Sequence, residues 1–247
     1  MTQQVALFRN PRERATGADD STMTSNHTHT GRRRAQFAGA CGLLAFITFN
    51  LGWIAADTSQ PRTFSPMHDD ISDLGALTAK SPWLYNQLGA NLSGLLLVVL
   101  GIGIWRALPH RHRGVLGLLA AAAVVTGGVG TFLDGLFRLD CRGIDNACSN
   151  DSWHSHAHKI ESGVTVGAIF VSLVILPLVL RRLGGTRWRP MAAALPAVLA
   201  ANVVFSVLGD GAATRAGTVV VFASLAYAGL ELTAFSRGRI GPPGTSP

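Results

Sequence analysis

Six stretches of apolar residues, at about 35–56, 83–106, 114–135, 160–180, 190–209 and 216–235, divide the chain. Each is close to the roughly 20 residues that an α-helix needs to cross about 30 Å of hydrocarbon. Polar connections rich in Gly, Pro, Asp and Arg separate them. The pattern predicts an all-α fold, a polytopic membrane bundle of six transmembrane helices over residues 35–236. The fifth stretch is the least uniform, because it begins at Pro190 and carries Pro196 and Asn202. Such breaks are tolerated in membrane helices where neighbours satisfy the freed backbone groups. Residues 1–34 show no helical apolar period and predict a disordered tail, with His27 and His29 solvated. Residues 237–247, with their Gly-Pro-Pro-Gly run, predict a second flexible tail. Arg32-Arg33-Arg34 ahead of an apolar stretch resembles a signal peptide. Both the polar region before it and the apolar run are too long for one, so an uncleaved first span is predicted.

Charge gives the bundle a direction. One set of connections holds twelve arginines (32, 33, 34, 106, 111, 113, 181, 182, 187, 189, 237 and 239). The opposite set holds six basic residues, Arg62, Lys80, Arg138, Arg142, Lys159 and Arg215. Asp57, Asp69, Asp70, Asp73, Asp140, Asp145, Asp151 and Asp210 all fall on that second side. The positive-inside bias therefore predicts cytoplasmic N and C termini and a multi-pass protein of the cell membrane.

Composition agrees. Of 247 residues, 48% are hydrophobic and only 14% are charged, against about 25% charged in soluble domains. The net charge of +7 raises the question of nucleic acid. The basic residues flank apolar runs and form no continuous basic face, so the expected partner is the lipid bilayer and not nucleic acid. Of three cysteines, Cys41 lies in the first apolar stretch and reads as a packing residue. Cys141 and Cys148 flank six residues of an outer connection. Their spacing is not that of a Cys-x-x-Cys pair, so a disulfide is expected there.

Candidate chemistry sits on the outer side. The first outer connection contains His68, Asp69, Asp70, Ser72 and Asp73. In a short helix Asp69 and Asp73 would share a face, where they could ligate a cation or orient a histidine. The alternative is a solvated acidic loop. The second runs from Asp134 to Glu161 and includes His154, His156 and His158. If the fourth helix starts near Asp151, then Asp151, His154, His158 and Glu161 line one face, and His156 points elsewhere. Imidazoles with a carboxylate suit zinc or a related divalent metal, with a position left for water. The alternative is a polar helix start capped by Asp151. Arg215, at the start of the last span, could pair with an outer carboxylate, hold a lipid phosphate or snorkel to the headgroups. Asn91 and Asn202 are expected to make interhelical hydrogen bonds. Glycines 127, 128 and 130 could break the third helix.

Ile71-Ser72-Asp73-Leu74-Gly75-Ala76 after the first span, Asp140-Cys141 after the third with histidines leading into the fourth, and Arg215 after a short Gly-containing loop form a set. Together they resemble the six-helix membrane proteins catalogued as domain of unknown function 998, over about residues 37–236. That resemblance implies an integral membrane fold and no established activity. A looser similarity is to membrane hydrolases of the alkaline ceramidase and adiponectin-receptor kind, which gather Asp, Ser and three His around zinc. The corresponding residue types here are Ser72, Asp134, His68, His154 and His158, but the helix number differs and the last helix has no His-x-x-x-His.

Two functions follow. The first is a metal-dependent hydrolase acting on lipid or lipid-linked substrates at the outer face. His154, His158 and His68 or Asp134 would bind metal, and Asp73 or Glu161 would be general base. The second is a non-enzymatic small transporter, sensor or accessory subunit. The spans carry almost no charge at their centres, which argues against an ion-coupled pump. Haem binding ranks low, because the histidines lie in loops, tails or helix ends.

Overall fold

The computed structural model describes residues 12–108, 113–183, 186, 188–206 and 208–236, with side chains from Arg33 onward except at residues 183, 202, 205, 206 and 236. Residues 1–11, the C-terminal tail and the side chains of His27, His29 and Asn202 therefore lie outside the described residues. The fold is all-α, with six helices: α1 (Arg12–Ser59), α2 (Leu92–Ala107), α3 (Val115–Asp134), α4 (Trp153–Leu183), α5 (Trp188–Ser206) and α6 (Asp210–Ser236). A π-helical segment, Leu84–Asn91, runs directly into α2.

Several boundaries differ from the sequence pattern. α1 begins at Arg12, within the segment whose composition predicts irregular chain. Extending a nucleated helix costs little, so an apolar span can carry helix into polar sequence. α4 begins at Trp153 because two side chains cap it. Ser152 Oγ accepts the Ser155 N–H at 3.2 Å, and Asp140 Oδ2 accepts the Ser152 N–H at 2.9 Å. The cap is therefore Ser152, and the expected cap, Asp151, is simply exposed. α3 runs unbroken through Gly127, Gly128 and Gly130. These glycines permit close approach instead of a break: a Cβ on Gly94 of α2 or on Gly128 of α3 would strike the other helix's backbone. The expected interhelical bond of Asn91 is present, its Nδ2 donating to the Phe132 carbonyl at 2.6 Å.

Each helix packs on the next, and α6 returns to α1, closing a ring. Leu97, Leu100 and Leu225 are fully buried at its centre. Phe49 stacks on Phe222 with ring centroids 4.2 Å apart. Large apolar residues such as Phe37, Leu51, Leu95 and Val164 instead face outward, as a lipid-contacting surface requires. Five segments, Arg33–Ser59, Leu84–Ala107, Val115–Asp134, Trp153–Arg182 and Asp210–Phe235, are long and apolar enough to cross a membrane. The chain is thus a multi-pass membrane protein in a lipid bilayer. α5, with Arg189, Pro190 and Pro196, is not among these five.

The bundle has two unlike ends. Residues 60–83, 135–152 and the turn before α6 form an acidic end. The start of the α1 span, Arg106 and Arg113 on either side of the α2–α3 connection, and the C-terminus of α4 form an arginine end.

Candidate metal centre

Asp134 closes α3, and His158 and Glu161 lie one turn apart on α4. α3 and α4 are packed neighbours, so three chemically useful groups meet where both helices reach the acidic end. His158 Nδ1 is 3.3 Å from Asp134 Oδ1 and 3.9 Å from Glu161 Oε1. Among the described residues these three form a group whose ligand atoms all lie within 4.8 Å of one another. His158 and Glu161 are buried, and Asp134 is nearly so. Two ligands of one zinc ion, each at about 2.0–2.2 Å, can be at most about 4.4 Å apart. Small rotations of these side chains meet that limit, so the group could hold a metal.

The surroundings position each carboxylate. Ser162 Oγ donates to Glu161 Oε1 at 3.0 Å, and Thr165 Oγ1 donates to Glu161 Oε2 at 3.2 Å. The buried Tyr85 lies beside Asp134. His158 Nδ1 also lies 2.9 Å from the Phe137 carbonyl, which accepts its proton when Nδ1 is the protonated nitrogen.

The Ile71–Gly75 segment is a buried 3-10 turn beside this group. Gly75 is pressed against the Tyr85 ring and Asn86, whose Nδ2 donates to the Gly75 carbonyl at 3.0 Å, so no Cβ fits there. Asp73 turns the other way. Its Oδ2 accepts the Gly143 N–H at 3.0 Å. Burial pushes the Asp73 carboxyl up to about 6, against the lowering effect of that bond, and nearby Asp70 adds to the rise.

The connection after α3 is a folded cap. Cys141 and Cys148 form the disulfide, with their Cα atoms 6.1 Å apart. Asn150 exchanges two hydrogen bonds with the Cys141 backbone, at 2.9 and 3.1 Å. Arg142 holds Asp145 bidentately and, with Thr78, keeps its carboxyl at about 2. Asp140 is lowered by its bonds to Ser152.

Arg215 is buried on the far side of the same end. Its Nε and Nη2 donate to Asp57 Oδ2 and Oδ1 at 3.0 and 2.8 Å. Its Nη1 donates to the Asp69 and Gly211 carbonyls at 2.8 and 3.1 Å. The Trp53 and Phe64 rings lie within 6 Å of its guanidinium. Arg215 therefore joins α1, the first acidic loop and α6.

The model of the family described as protein of unknown function (DUF998) matches residues 40–238. The chain belongs to this family. No curated protein and no solved structure gives a significant match.

In this DUF998 protein the predicted site residues part company. Asp134, His158 and Glu161 come together. His154 is exposed and stacks on Trp153, with ring centroids 3.7 Å apart. It shares a face with Glu161, but seven residues of helix place it about 10 Å further along the axis. That height is beyond the end of α3, so no α3 ligand is opposite it. His68 is exposed against the turn at Gly209 and belongs to a different corner. Asp69 and Asp73 do not share a helical face, because the 3-10 turn starts only at Ile71. Asp69 Oδ2 instead accepts the Ser65 N–H at 2.6 Å. Sequence reasoning missed Tyr85, and it missed Asp57 as the specific partner of Arg215. The signal for Tyr85 was its rarity: the chain has only two tyrosines, and this one opens the second span.

Proposed function

We propose that this DUF998 protein is a metal-dependent hydrolase acting on lipid or lipid-linked substrates at the outer membrane face, with its centre at Asp134, His158 and Glu161. One observation carries the reading: a buried carboxylate–imidazole–carboxylate group lies where two membrane-length helices end. Six crossings with cytoplasmic termini would put that group at the outer leaflet, beside headgroups. A divalent ion held there would supply Lewis acidity and lower the pKa of a coordinated water. The chain's own residues do the rest. Ser162 and Thr165 fix the Glu161 rotamer, and the buried Tyr85 packs beside Asp134. His158 would bind through Nδ1 once that nitrogen gives up its proton and its bond to Phe137. Asp73, whose carboxylate is turned to the Gly143 N–H, would serve as general base only after rotating toward the centre.

A second reading is favoured by the closeness of two carboxyls and an imidazole beside the buried Tyr85, since such a group can accept and pass a proton. In a non-enzymatic transporter or sensor, Tyr85, Asp134, Glu161 and His158 would handle a proton and no metal. Metal analysis by mass spectrometry of detergent-purified protein separates the two. The hydrolase reading expects near-stoichiometric zinc or another divalent ion, lost in folded Asp134→Asn and His158→Ala variants and retained in His154→Ala. Negligible metal in the wild type after growth and purification with added zinc would sink it in favour of the proton network.

A further inference from the structure

The arginine end contains a cleft of about 730 Å³ between α1 and α2, within the roughly 300–1,000 Å³ typical of ligand pockets. Among the described residues four arginines line it: Arg33 and Arg34 from the start of the α1 span, Arg106 from the last turn of α2, and Arg113 just before α3. Its remaining wall is apolar and includes Phe37 and Ile102, both of which face outward from the bundle. α1 and α2 touch within the cleft at Ala38 and Gly103, where a glycine Cβ would collide with the Ala38 Cβ. Arg113 is held in place, its Nε donating to the Leu108 carbonyl at 2.9 Å and its Nη2 to the Arg106 carbonyl at 2.8 Å. This anchors one positive charge over the end of α2.

We propose that this cleft binds the headgroup of an anionic phospholipid from the surrounding leaflet. Charge complementarity selects the occupant: guanidinium forks match phosphate oxygens, which accept several N–H bonds at once. The apolar wall selects the source. Phe37 and Ile102 continue the cleft onto the lipid-facing surface, so an acyl chain can follow its headgroup along the helices, as a free anion cannot. The position also fits, because the cleft lies at the ends of two membrane-length segments. Basic pockets between such helices on the cytoplasmic side are suited to anionic headgroups.

The test uses delipidated full-length protein and native mass spectrometry. It is titrated with phosphatidylglycerol, with phosphatidylcholine of the same acyl chains, and with inorganic phosphate. Phosphatidylglycerol is expected to bind about tenfold more tightly than phosphatidylcholine. The preference should disappear in Arg33→Gln/Arg34→Gln/Arg106→Gln and persist in Arg181→Gln/Arg182→Gln, which removes arginines at the same end but outside the cleft. If the triple variant does not fold, Arg106→Gln alone carries the comparison, with a partial loss expected. Equal binding of the two lipids by the wild type would overturn the proposal. So would an equal loss in the control variant, or inorganic phosphate binding as tightly as phosphatidylglycerol.

Discussion

At the acidic end several charges are drawn inside the fold, while at the arginine end they lie on its rim. Asp57 and Arg215 are buried and grip each other bidentately, and Asp73 is buried on a backbone N–H. Arg33, Arg34 and Arg106 are exposed around an open cleft. Removing a charge from water is expensive and is tolerated only where geometry repays it. Exposed charges on long side chains cost little and fix little. The acidic end is thus a rigid, preorganised structure, suited to holding ligand atoms a few ångströms apart. The arginine end is suited to orientation and lipid contact.

Substitutions at the two ends should therefore behave differently. The largest effect is expected at Arg215. Arg215→Ala leaves Asp57 buried without its partner and should cost about 3–5 kcal/mol, read as a loss of denaturation midpoint in detergent. A cost below about 1 kcal/mol would show that this end is solvated like the other. The next effect has the opposite sign. The Asp73 carboxyl rises from 3.8 to about 6 on folding, so the folded state binds its proton more tightly. Stability from this group is full below pH 3.8 and is lost as pH rises to about 6. Asp73→Asn keeps an acceptor for Gly143 and removes the charge. It should stabilise by about 1–2 kcal/mol at pH 7.5, after allowance for screening, with little gain near pH 4. A thermal melting series against pH checks this, and destabilisation by the substitution at pH 7.5 would contradict it. The smallest effect belongs to Arg106→Gln, whose stability should stay within about 0.5 kcal/mol of wild type despite its effect on lipid binding. A larger loss would make the rim structural and erase the contrast.

The helices were legible because lipid-length apolar runs leave few alternatives for a backbone that must satisfy its own hydrogen bonds. Their ends were less so. The start of α4 depends on Asp140, twelve residues before Ser152, and such a cap leaves no local pattern. The π-helical segment before α2 has no hydropathy signature either. Of the candidate site, His158 and Glu161 were readable from their spacing, and Asp134 from its place at a span end. His154 shares the face of His158 and Glu161 but stands apart from their group; periodicity reports which face a residue occupies and not which helix stands opposite at that height. His68 was included on residue type alone, and only the path of residues 60–70 shows that it belongs beside α6. The pairing of Asp57 with Arg215 links positions 158 apart in the chain, a distance over which spacing says nothing.

The Cys141–Cys148 bridge has a consequence for biogenesis. Thiols delivered outside the cell meet an oxidising milieu, whereas those left in the cytosol are kept reduced. In the proposed orientation this connection is on the oxidising side, and a copy inserted the other way round would keep its two thiols free. The covalent state of this short loop is therefore a built-in marker of sidedness, stamped on each molecule as it enters the bilayer and readable on a gel by alkylation.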